Sequence, residues 1–146
     1  MDTEKALPVV VGIITDWTNI LVARRVSPYV VLDGRWEFPG GKVRINEPPE
    51  VALKREILEE LGLVVEVHQP VFAAITEYPP GRAFIVFYLC DETEYPTLNA
   101  DRVVLNPSAI SEVRIVDPLD VDELDCLIAM PEAARRAKAA ISGEYI

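Results

Sequence analysis

The most constraining stretch is residues 40–63, GGKVRINEPPEVALKREILEELGL. Pro49 suits the first turn of a helix, where its missing N–H is not needed, and Glu50 suits the positive end of the helix dipole. The spacing predicts a helix over residues 49–61, stopped by Gly62 as a left-handed cap. Glu56, Glu59 and Glu60 stand three and four residues apart, which puts their carboxylates on one helix face. Like charges at those spacings repel by about 0.2–0.5 kcal/mol per pair. They also sit near the negative end of the dipole, where acids are unfavourable. A hard divalent cation would offset both penalties.

The helix has two apolar aspects. Leu53, Ile57 and Leu61 form one stripe, while Val51 and Leu58 lie on another side. That pattern predicts a helix sandwiched on two sides, leaving the acidic face as a narrow exposed strip.

The remaining segments alternate between strands and turns. LPVVVGIIT (residues 7–15) and NILVARR (19–25) read as strands separated by a turn at 16–18. RWEF is a short extended piece after a loop holding Pro28 and Gly34. LVVEVH and VFAAITEY read as two strands, followed by a turn at 79–81 and the strong strand RAFIVFYLC. EVRIVD (112–117) is a shorter strand, and LDCLIAMPEAARRAKAAI (124–141) reads as a closing helix. Strands interrupted by two helices predict an α/β fold with helices packed on a mixed sheet.

Half of the 146 residues are hydrophobic and 26% are charged, ordinary values for a globular domain, so 1–146 reads as one domain. Neither a signal peptide nor a membrane span is evident. Cys90 and Cys126 lack zinc-site spacing and read as free thiols in a reducing cytoplasm. The net charge of −10 argues against nucleic-acid polymers and anionic membranes as partners. A small anionic substrate remains compatible, because a few local cations outweigh the global sign within a Debye length of about 8–10 Å.

From Gly41 the chain fills every position of G-x5-E-x7-R-E-U-x-E-E-x-G-U, with U aliphatic: Gly41, Glu47, Arg55, Glu56, Ile57, Glu59, Glu60, Gly62 and Leu63. This is the Nudix box, and the chain resembles the Nudix hydrolase family. LVARR, WEFPGGK and PPGRAFIVFYLC are similar to segments of its MutT-like nucleoside triphosphate pyrophosphohydrolases. The resemblance implies an α/β/α sandwich whose box forms a loop–helix–loop. It also implies magnesium, with manganese able to substitute, held by Glu56, Glu59, Glu60 and the Gly40 carbonyl. A solvated acidic face is the ordinary reading of such a run, and the complete box displaces it. Glu47 and Arg55 are implied to orient the glutamates rather than bind metal.

Lys42, Arg25 and Arg82 fall where MutT-like members contact nucleotide, each with an ordinary surface role as its alternative. Arg25 is preferred to Arg24 because strand alternation lets only one of them point into a cleft. With the box glutamates taken as ligands, proton removal from water falls to a residue outside the box. Glu112 is the expected base, with Glu92 and Glu94 as weaker candidates.

Two departures from the family pattern stand out. NEPP replaces the usual Gly-Glu-Ser/Thr at the helix start, removing a hydroxyl cap worth about 0.5–2 kcal/mol. Ala129 and Met130 stand where antimutator members present a base-reading Asn. The expected activity is hydrolysis of a nucleoside triphosphate to monophosphate and pyrophosphate in the cytoplasm, with a homodimer left open. An ADP-ribose or ADP-sugar pyrophosphatase is the alternative, carried by Pro79 sixteen residues beyond Leu63. A non-catalytic nucleotide-binding module is the third reading, against which the intact glutamates weigh.

Overall fold

The computed structural model describes residues 5–79 and 81–143. Among these residues seven strands form two sheets. β1 (Leu7–Ile14), β4 (Gly40–Lys42), β5 (Val65–Tyr78) and β6 (Gly81–Glu92) make the first, in the order β4-β1-β6-β5. β2 (Ile20–Arg25), β3 (Trp36–Glu37) and β7 (Ile110–Val116) make the second, in the order β3-β2-β7. β1 is antiparallel to β4 but parallel to β6, so the first sheet is mixed.

Strand alternation divides the interior into two cores. Val10, Ile14, Leu21, Ala23, Tyr88 and Cys90 face α1 (Pro49–Leu61) through its Leu53, Ile57 and Leu61. Ile13, Ile20, Val22, Phe87 and Leu89 face α2 (Met130–Ile141) through Met130, Ala133, Ala134 and Ala137. The two helices thus lie against opposite faces of the sheets, the α/β/α sandwich that the resemblance implied. Among the described residues, no helix is long and apolar enough to cross a membrane.

α1 has the bounds read from the sequence. Gly62 adopts φ 67° and donates its N–H to the Leu58 carbonyl, and Pro48 supplies no side-chain cap. Asn46 takes φ 61°, a left-handed position that asparagine tolerates better than most residues. The two-sided burial of α1 is corrected: Val51 and Leu58 are 52% and 53% exposed. The acidic face is an exposed strip only in part: Glu59 is 51% exposed, whereas Glu60 is buried and Glu56 is mostly covered.

Element boundaries differ too: the strand expected at 112–117 is β7 at Ile110–Val116, and β4 is not among the expected strands. LVVEVH and VFAAITEY belong to one strand, β5, whose pairing with β6 shifts register on both sides of Pro70. Proline cannot donate to the ladder and is tolerated at such an irregularity. α2 begins at Met130, not 124, with Pro131 in its first turn. Residues 125–127 instead pair with β3: Trp36 N–H donates to the Asp125 carbonyl and Leu127 N–H to the Trp36 carbonyl, at 2.9 and 3.2 Å.

Candidate active site

Two glycines bring β4 against both β1 and α1. A Cβ at Gly40 would collide with the Val10 carbonyl oxygen, and one at Gly41 would lie 2.5 Å from Glu56 Cδ. The Glu56 carboxylate therefore fills the space that a side chain at position 41 would need.

Arg55 organises the neighbouring acids. Its Nε and Nη2 donate to Glu47 Oε2 and Oε1 at 2.9 and 3.0 Å. Its Nη1 donates to Glu56 Oε1 at 2.9 Å and lies 3.5 Å from Glu59 Oε2. Nη2 also donates to the Lys42 carbonyl at 3.2 Å, tying α1 to β4. Glu47 further accepts the Arg44 backbone N–H at 3.0 Å. The Arg55 hydrogen bonds, then the Arg44 N–H, hold the Glu47 carboxyl down at about 2.

Glu60 turns the other way. It is 8% exposed, accepts a long 3.4 Å bond from the Gly40 N–H, and lines a cleft of about 390 Å³. Burial first, then the charges of Glu37 and Glu56, push its pKa up to about 8 against the pull of Gly40 N–H and Arg25. Glu37, on β3, lines the same cleft and accepts from Arg25 Nη1 at 3.1 Å. Burial raises the Glu37 carboxyl, opposed by Arg25.

Of the expected cationic contacts, the fold brings Arg25 and Lys42 to the cleft. Arg24 donates instead to the Gly34 carbonyl at 3.0 Å. Arg82 is not brought there. It does not line the cleft and alternates away from Ala83, Ile85 and Phe87, which do, although it lies 3.9 Å from its cross-strand partner Glu77 at the cleft's edge. The expected base Glu112 is not brought there either. Its register partner is Arg24, and it accepts from Arg114 Nε at 3.1 Å on the sheet face away from Arg25. Glu92 pairs with Arg102 at 2.7 Å, seven residues beyond Ile85 and so ~23 Å along the strand. Glu94 lines a separate hollow beside Asp91, Trp17 and Tyr95.

The sequence reading passed over Glu37. Its signal was strand register: Glu37 pairs with Ala23, and Arg25 lies two residues further along the same face.

Among the described residues no three His, Cys, Asp or Glu stand as a converged ligand set, and Arg55 lies against both Glu56 and Glu59. The donor chemistry nevertheless fits a hard divalent cation, which takes carboxylate and carbonyl oxygens. The buried Glu60, crowded by Glu37 and Glu56, is the group such a cation would relieve. Glu56, Glu59, Glu60 and the Gly40 carbonyl could supply the ligands.

A model of the family described as NUDIX domain matches residues 5–139. A Mycobacterium tuberculosis (strain ATCC 25618 / H37Rv) protein is 54% identical over 57 residues, 39% of this chain. The chain spans only 40% of that relative's length. The 8-oxo-dGTP diphosphatase of Proteus vulgaris is 36% identical over 93 residues, 63% of this chain and 82% of that protein. The crystal structure of the MutT protein from Methanosarcina mazei Go1 superposes with a TM-score of 0.71 at 23% identity, covering 91% of this chain and 94% of that one.

Proposed function

The chain belongs to the Nudix family of hydrolases, and we propose that it converts a nucleoside triphosphate to the monophosphate and pyrophosphate in the presence of magnesium. The observation that carries this reading is the cleft itself, where the buried Glu60 meets the Gly40–Gly41 backbone beside Arg25 and Lys42. Carboxylates and cations meet there at close quarters, which suits a metal-bridged polyphosphate. The kinship with MutT-like proteins named for 8-oxo-dGTP hydrolysis supports the triphosphate class.

In this reading Glu56, Glu59, Glu60 and the Gly40 carbonyl hold the cation. When bound, magnesium would neutralise phosphate charge, acidify a water molecule and fix the line of attack. Arg25 and Lys42 bind the phosphate oxygens by charge-assisted bonds, with the guanidinium aimed by Glu37. Arg55 orients Glu56 and Glu59, and Glu47 orients Arg55. Water adds its oxygen to phosphorus, a bridging P–O bond breaks, and the water proton passes to a carboxylate. Glu37 takes that role in place of Glu112: of the two carboxylates outside the box that line the cleft, Glu37 and Glu77, it is the one whose charge acts on Glu60.

The test follows products. Incubation with nucleoside triphosphates and magnesium should release monophosphate and pyrophosphate in equal amounts, and chelation should stop it. Release of orthophosphate, or preferential cleavage of ADP-sugars, would replace the proposal.

A further inference from the structure

We infer that the cleft holds the nucleobase by shape and apolar contact alone, so that the enzyme accepts purine and pyrimidine triphosphates with little discrimination. This rests on the reading of the chain as a nucleoside triphosphate hydrolase.

The wall concerned is built by β3. Its backbone bonds to Asp125 and Leu127, reinforced by Arg35 at 3.3 Å from Asp125, dock residues 125–127 beside Trp36. The chain then enters α2, leaving Leu127, Ile128, Ala129 and Met130 along the cleft. Opposite them the first sheet presents Ile85 and Phe87, and Phe38 meets Phe87 edge-on with centroids 6.3 Å apart. Ile128 is 89% exposed at this wall, apolar surface that a bound ring would cover.

Reading a base edge requires a fixed donor–acceptor pattern, which Asn and Gln amides supply. Among the described residues, neither type lines the cleft. The charged groups Arg25, Glu37, Lys42 and Glu60 line the cleft with the β4 glycines, and Arg25 and Glu37 bond one another. Glu77 is paired with Arg82 across the hairpin. Thr76, Tyr78 and Ser108 contribute hydroxyls, and that of Ser108 donates to Asn106 Oδ1 at 2.7 Å. A hydroxyl donates or accepts as it rotates, so it does not separate amino from keto edges.

The magnitude follows from how pockets discriminate. Sites built to hydrogen-bond a substrate group reject analogues by about 10⁴–10⁵, whereas apolar pockets separate close analogues by only about 10–200-fold. Stacking and apolar contact tolerate every base, because each has a π-face.

The test has two readouts on the magnesium-loaded protein. One is kcat/KM for ATP, GTP, CTP and UTP. The other is calorimetric binding of AMP, GMP, CMP and UMP. Both should vary across the bases by no more than about tenfold, the low end of what apolar pockets separate, and a wider spread in either overturns the inference. The variant Ala129→Asn adds a fixed amide to the wall and should favour one base by about 5–150-fold. An unchanged spread in that variant would show that the base does not sit against this wall. Unselective monophosphate binding without pyrophosphate release would defeat the hydrolase assignment for these substrates and leave the inference standing. Selective binding would defeat the inference whatever the activity.

Discussion

Arg55 grips Glu47 through two parallel hydrogen bonds, Nε to Oε2 at 2.9 Å and Nη2 to Oε1 at 3.0 Å. This fork fastens the loop before α1 to the middle of the helix. It also fixes the guanidinium whose third nitrogen holds Glu56 and faces Glu59. Lysine keeps the charge but cannot reproduce the fork. Arg55→Lys should therefore fold yet lose about 10–100-fold in magnesium affinity or activity, as loss of a ligand-orienting partner does. A magnesium titration of turnover checks this, and a parental curve would remove Arg55 from the machinery.

The same pair sets an acid response. The Glu47 carboxyl is held down at about 2 in the folded state, chiefly by Arg55 and then by the Arg44 N–H. A free glutamate titrates near 4.3. The unfolded chain therefore binds the proton first as pH falls. The stabilisation is complete above about pH 5 and is lost progressively down to about pH 2. Glu47→Gln should be less stable than the parent at neutral pH, with the gap in melting temperature closing on acidification. A gap that is constant over pH 6 to 2 would contradict this.

The sequence disclosed the site better than its surroundings, for reasons that particular residues show. Pro49, Gly62 and the box spacing are local signals, and the helix follows them to the residue. Pro131 was equally a local signal, since proline fits the first turn of a helix and disrupts an interior. The apolar run before it masked that signal, because those residues take up pairing with Trp36, a contact invisible in local pattern. Arg82 was ambiguous for a different reason. β6 is apolar on both faces over residues 83–87, so alternation alone could not say which face lines the cleft. Glu112 required the β2–β7 register, a long-range fact.

The two glycines of β4 should respond differently to a methyl group. At Gly41 the obstacle is the end of the Glu56 side chain, which can swing away. Gly41→Ala should thus cost no more than about 1–3 kcal/mol, the usual price of overpacking, while activity falls because Glu56 is displaced. At Gly40 the obstacle is the backbone of Val10 and Val11. Gly40→Ala should disrupt the β1–β4 pairing and lower the melting temperature far more. Thermal melts and turnover measured side by side decide the comparison, and equal stability losses would refute it.

Glu60→Gln tests the buried acid directly. Amide and carboxyl are nearly isosteric, and the amide removes a charge that burial, Glu37 and Glu56 all disfavour. In chelator at neutral pH the variant should melt at or above the parent temperature. With magnesium limiting, it should lose most turnover, at least about tenfold by comparison with losses from merely orienting residues. Full activity in limiting magnesium would mean that Glu60 is no ligand.

The base assignment separates two glutamates. Glu37 lies in the cleft beside Glu60, with Oε2 bonded to Arg25. Glu112 is bonded to Arg114 on the other face of its sheet. Loss of a general base costs on the order of 10²–10⁴ in rate. Glu37→Gln preserves shape and a hydrogen bond to Arg25 but removes the basic oxygen. It should bind nucleotide and magnesium and turn over at that reduced rate, whereas Glu112→Gln should stay near the parent. The pH profile sharpens the contrast. Burial raises the Glu37 carboxyl above the ordinary range, so a base at this position must lose its proton before it works. Parental activity should climb with pH along an acidic limb displaced upward from a free carboxyl, and that limb should vanish in Glu37→Gln. If Glu37→Gln kept the parental rate and limb while Glu112→Gln lost them, the base would lie on the strand face that the register turns away from the cleft, and the assignment would be wrong.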